Sequence, residues 1–149
     1  MTKALLVFGV GALAAGSIVA AKPHASKLTW GDAPPALPTG AQMAVVSGDP
    51  GKAAMFKVEL KMPAGYAVPA HWHPTDETVT VVSGKLGYGM SAKLDKAKAK
   101  WASPGGSVTM KAKHNHWVFA NAPATIEVSG MGPFVITYVD PKDDPRNKK

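Results

Sequence analysis

The chain has 149 residues, 46% of them hydrophobic, no cysteine and a formal charge of +7. That length supports one domain with a sizeable core, that composition excludes a disordered chain, and the missing cysteine excludes both a disulfide framework and a lipid-modified cysteine. The charge sits in the tail (Lys142, Arg146, Lys148, Lys149) and in one polar stretch (Lys93, Lys96, Lys98, Lys100), without interleaved aromatics or a recognition-helix pattern; no nucleic-acid partner is expected.

Residues 1–21 read as an export signal. Lys3 is a short positive start, Ala4 to Val19 is nearly all apolar, and Val19-Ala20-Ala21 is a small-residue cleavage pattern. Gly9, Gly11, Gly16 and Ser17 weaken the apolar run, so removal is expected rather than a stable membrane span, and the mature protein, from Lys22, is placed in the periplasm or secreted. Residues 22–40 are rich in proline and small residues and predict an extended lead-in, with Trp30 anchoring it by packing.

From Met55 to Met62 the apolar Phe56, Val58, Leu60 and Met62 alternate with Lys57, Glu59 and Lys61, which predicts a half-buried strand. Pro63 and Gly65 end it. Further short strands are predicted at residues 77–82, 86–90, 107–110, 116–120, 125–129 and 134–139, with turn residues in every gap. Residues 92–101 alternate lysine with alanine without an apolar stripe and are expected to form a loop or short turn. Many short strands separated by Gly and Pro point to an antiparallel sandwich or closed barrel.

The strongest functional statement is Gly65-x5-His71-x-His73-x3-Glu77-x6-Gly84. A strand sends alternate residues to one face, so His71 and His73 stand side by side while Trp72 points the other way. Pro74, Thr75 and Asp76 form a turn, after which Glu77 can swing its carboxylate back toward the two imidazoles. Imidazole with carboxylate suits a borderline divalent metal. Asp76 is expected to bond its own turn, so that Asp76→Ala leaves metal occupancy nearly intact while His73→Ala or Glu77→Ala sharply lowers it.

These positions resemble the first motif of the cupins, matching it at every fixed residue. The resemblance implies a small antiparallel jelly-roll barrel and a second motif, Gly-x5-Pro-x-Gly-x2-His-x3-Asn, which counts from Gly105 to His116 as the fourth ligand. Lys111 and Lys113 stand where that motif has Pro and Gly, and Ala120 where it has Asn. His114 shares strand parity with His116, but choosing it breaks the glycine count. The Gly48-Asp49-Pro50 turn, the segment Gly130-Met131-Gly132-Pro133 and the ending from Tyr138 to Arg146 extend the likeness to exported single-domain bacterial cupins, so residues 22–149 are expected to form one such domain with a barrel core at about 55–139.

The implied centre is one divalent ion (Fe, Mn, Cu, Ni or Zn) held by His71, His73, Glu77 and His116, with two positions of an octahedron left open. Tyr66, Tyr88, Met90, Met110, Val118, Phe134 and Tyr138 are core or barrel-lining candidates; Trp72 and Trp117 face away from the ligands, toward the lead-in or the partner in a homodimer. Three activities fit: a dioxygenase-like oxidoreductase on a small enolic or phenolic substrate, an isomerase or lyase with Tyr66 or Tyr88 as base, and non-catalytic binding of a metal or metal–ligand complex.

Overall fold

In a computed structural model describing residues 27–148, the chain forms β1 (Gly31–Asp32), β2 (Gln42–Ser47), β3 (Met55–Met62), β4 (Ala67–Trp72), β5 (Glu77–Ser83), β6 (Leu86–Gly89), β7 (Lys100–Ala102), β8 (Ser107–Met110), β9 (His116–Phe119), β10 (Ala124–Met131) and β11 (Thr137–Tyr138). The predicted export signal lies outside the described residues. Short 3-10 turns occupy Lys96–Lys98, Pro141–Asp143 and Pro145–Asn147, each begun by an aspartate whose carboxylate accepts a backbone N–H of the turn. Among the described residues no helix is long and apolar enough to cross a membrane.

Every strand pairing is antiparallel, and the strands make two sheets ordered β1-β2-β3-β10-β5-β8 and β11-β4-β9-β6-β7. The alternation of β3 is realised residue for residue: Phe56, Val58, Leu60 and Met62 are buried and the residues between them are not. Val79 and Val81 of β5 and Ile126 and Val128 of β10 do the same, meeting Val68 and Val118 from the facing sheet. Each of these side chains contributes about 1.5–3 kcal/mol on burial.

β2 has no counterpart among the predicted strands. Its most buried residue is the small Ala44, and its pairing with β3 slips between Val45 and Ser47, so the sequence carries no clean alternation. At the other end β11 is shorter than predicted, because Phe134 N–H donates to Pro50 O (2.7 Å) outside any ladder. The described part of the lead-in, residues 27–40, forms no helix and combines the short β1 with turns, and Trp30 is anchored with the Lys61 ammonium 3.8 Å above its ring. Trp117 faces away from the barrel interior and is buried by this chain's own 91–99 segment: it packs with Ala70, Phe119, Leu94 and Ala99 and donates from Nε1 to Ser91 Oγ (2.9 Å).

Candidate metal centre

β4 carries two of the four candidate ligands, and its path is not a plain strand. Val68 pairs with Val118 and His71 with His116, so β4 spends one residue more than β9 over the same stretch, a bulge at Pro69–Ala70. Simple alternation would put Val68 and His71 on opposite faces. The bulge puts both inside and turns Ala70 to the outer layer with Trp117. After Trp72 the chain turns through Pro74–Asp76, pinned by Thr75 Oγ1 donating to Met131 O (2.8 Å), and Glu77 begins β5 pointing inward. Gly84, at the end of the first motif, has φ +76°, and a side chain there would collide with Pro123 O and Ala124.

The structure brings His71, His73, Glu77 and His116 together: all four are buried, and one ligand atom of each lies within 4.8 Å of the others. Each imidazole is oriented by a bond on its far nitrogen. Nδ1–H of His71 donates to Pro69 O (2.6 Å), that of His73 to Val135 O (2.7 Å) and that of His116 to His114 O (3.0 Å), which leaves every Nε2 facing the cluster. Glu77 Oε2 lies 3.4 Å from His73 Nε2 and 3.2 Å from His116 Nε2, but neither contact is aligned as a hydrogen bond. Both Nε2 atoms are therefore buried polar atoms without a partner, which a cation among them would satisfy. Three neutral imidazoles and one carboxylate fit a divalent ion, and the residues present match that group.

The electrostatics of His71 and Glu77 agree. Burial, with His116 and His73 alongside, pushes His71 down to about 3, so it stays neutral and available as a donor. Burial alone would raise Glu77, but the facing His116 and His73 outweigh it and hold the carboxyl well below its ordinary range. His73 moves upward for the reciprocal reason, since Glu77 overcomes the burial that would lower it.

His114 is exposed and contributes only its carbonyl, so of the two histidines counted in the sequence His116 is the inward one. Lys111 and Lys113 are exposed, away from the cluster. Asp76 differs from expectation: it does not bond its own turn but reaches across, accepting Ala112 N–H (2.9 Å) and the Lys111 ammonium (2.8 Å). No local signal announced this, because the partners lie 35 and 36 residues away.

Beside His71, His73 and Glu77 is a cavity of about 40 Å3 whose remaining wall is apolar, including Leu37, Met43, Val118, Phe134 and Ile136. Phe134 stacks on His73 at 4.6 Å. Tyr66, Met110 and Tyr138 are buried in the core but do not line the cavity, although the Tyr138 ring lies 5.9 Å from that of His71; Tyr88 is half-buried outside the cavity wall, and Met90 is exposed. The Tyr66 hydroxyl donates to Pro38 O (2.8 Å), and burial pushes it up to about 12; it is not placed as a base for a substrate on the cluster, and neither is Tyr88. Leu37 and Met43 are cavity residues that strand patterning missed, because Leu37 comes from the irregular lead-in and Met43 from β2.

No protein-family model matches the chain and no curated protein matches its sequence. Solved structures do. A Methylibium petroleiphilum protein, provisionally designated an acetylacetone dioxygenase, superposes with TM-score 0.62 at 19% identity over 89% of this chain and 90% of its own. The polyketide cyclase RemF of Streptomyces resistomycificus gives 0.59 at 16% identity over 70% and 75%. A cupin superfamily protein of Desulfitobacterium hafniense gives 0.53 at 9% over 62% and 77%. With its two antiparallel sheets closed around a buried His-His-Glu-His cluster, the chain has the cupin fold.

Proposed function

We propose that this chain is an exported metalloprotein that holds one divalent ion through His71, His73, Glu77 and His116 and acts, dioxygenase-like, on a small enolic or phenolic molecule. The observation that carries the reading is the make-up of the site: four convergent donors, three of which (His71, His73 and Glu77) wall a cavity whose other side chains are apolar, with no second acid or base. Chemistry at such a site has to come from the ion, which when bound supplies Lewis acidity for a chelating enolate and, for iron, manganese, nickel or copper, redox exchange with O2. The chain's own part is to fix three imidazole tautomers through backbone carbonyls, to keep one anionic carboxylate beside them, and to exclude water with Leu37, Met43 and Phe134. The likeness to the Methylibium protein over 89% of this chain supports the same substrate type.

An isomerase or lyase is less well supported, since the tyrosines that would serve as base are not in the cavity wall. A non-catalytic metal–ligand carrier shares every ligand and differs only in turnover. Oxygen uptake by iron-, manganese-, nickel- and copper-loaded protein with flavonols, diketones and catechols separates them: uptake with at least one pair is expected. Tight metal binding without uptake assigns the carrier, and product formation without oxygen assigns the isomerase or lyase. Intact mass of the exported protein tests the leader; retention of Met1 would refute export.

A further inference from the structure

Beside the metal cavity lies a second hollow of about 210 Å3, lined by Pro34, Ala36, Pro50 and Gly51 together with five residues that also wall the cavity: Leu37, Met43, Val58, Phe134 and Ile136. It is a groove between the lead-in and the 50–51 turn, and not one of its lining side chains is charged. These five side chains form a wall common to the two spaces. Leu37 belongs to both, and the backbone on each side of it is tied down: Tyr138 Oη–H donates to Ala36 O and Tyr66 Oη–H to Pro38 O, both at 2.8 Å. Ala33 N–H to Ala41 O (3.0 Å) closes the base of this strap. The strap beside the groove is thus tied down by two tyrosines far apart in the sequence.

We infer that the ligand of the metal centre is a compact two-oxygen chelating head carrying an unbranched apolar arm, with the head in the cavity and the arm in this groove, and that Leu37 and Ala36 set the shape of arm accepted. This rests on the metal reading above. The cavity of about 40 Å3 has room for little more than a few water-sized groups, so anything larger than a head needs space beyond it. The groove offers the continuation, apolar throughout and sharing its inner wall with the ligand cluster. A charged or sugar-like arm would lose its hydration there without finding a partner, whereas methylenes gain about fourfold in affinity each while they remain inside.

The test uses the full chain loaded with zinc or nickel and a series of alkyl hydroxamates from acetohydroxamate to octanohydroxamate, which hold a constant two-oxygen head on arms of increasing length. Dissociation constants come from calorimetry, with metal content measured alongside. Affinity is expected to rise about threefold to fourfold per added methylene and then level off as the groove fills. In Ala36→Leu, which fills the groove without entering the cavity wall, the rise should vanish while acetohydroxamate binds as before. Leu37→Ala should improve a branched arm such as that of 3-methylbutanohydroxamate by about tenfold relative to the straight isomer, an independent check if Ala36→Leu folds poorly. A flat series, a rise that survives Ala36→Leu, or failure of acetohydroxamate to bind the loaded protein overturns the groove assignment and leaves the metal centre standing. Failure to take up one ion per chain overturns both.

Discussion

The two turns that deliver the candidate ligands reach the same precision by different means. The turn between β4 and β5 is built from local devices: Pro69 in a bulge, Pro74 in the turn, a glycine of positive φ at the far end of β5, and one tie from Thr75 to Met131. The turn between β8 and β9 has neither proline nor glycine at the positions where the resemblance expects them. Lys113 adopts φ +61° where a glycine would sit without strain, and its N–H donates to His73 O (2.7 Å). Asp76, adjacent to Glu77, holds Ala112 and Lys111. The second turn is therefore braced by the first, and the lesson is that a worn motif can keep its geometry when tertiary contacts replace the residues that preset it.

Substitutions graded from the cluster outward probe this difference. His73→Ala or Glu77→Ala should lower metal affinity by more than about 100-fold, read by calorimetry and by metal content after dialysis, and should abolish the rise in melting temperature that excess metal gives the parent protein. Asp76→Ala should cost about tenfold in metal affinity, because it releases the approach to His116 without removing a donor; parent-like affinity would mean that the second turn stands by itself. Lys113→Gly relieves the left-handed strain but loosens the unfolded chain, so a net gain of at most about 1 kcal/mol is expected from urea midpoints. A loss of stability would show that the lysine is not strained. His114→Ala should leave metal affinity unchanged, since only its carbonyl meets His116.

Much of this arrangement was legible in the residues, and the gaps have physical causes. β3 could be read because from Phe56 to Met62 its two faces differ in polarity at every step; β2 could not, because its buried residue is the small Ala44 and a register slip hides which face is buried. The inward position of His116 followed from the count after Gly105 even though Pro and Gly are missing, since spacing survives when turn chemistry does not. Asp76 was misread because an aspartate beside a proline turn has a ready local partner, and only the folded chain shows that a distant amide is better placed. Tyr66 and Tyr88 are base candidates as barrel-lining tyrosines, yet the Tyr66 hydroxyl is taken up by the lead-in carbonyl of Pro38 and neither residue lines the cavity.

That strap has a consequence at alkaline pH. The Tyr66 hydroxyl holds the chain beside Leu37 only as long as it keeps its proton, because a phenolate cannot donate to a carbonyl. Burial raises its pKa from 10 to about 12, so the folded chain binds that proton more tightly than the unfolded one. The stabilisation is complete below about pH 10 and is lost as pH climbs toward about 12. Opening of the metal cavity should then precede loss of the barrel, seen as faster metal release at pH 11 than at pH 8 while the sheet signal in circular dichroism persists. Tyr66→Phe, already lacking the bond, should release its metal at nearly the same rate at both.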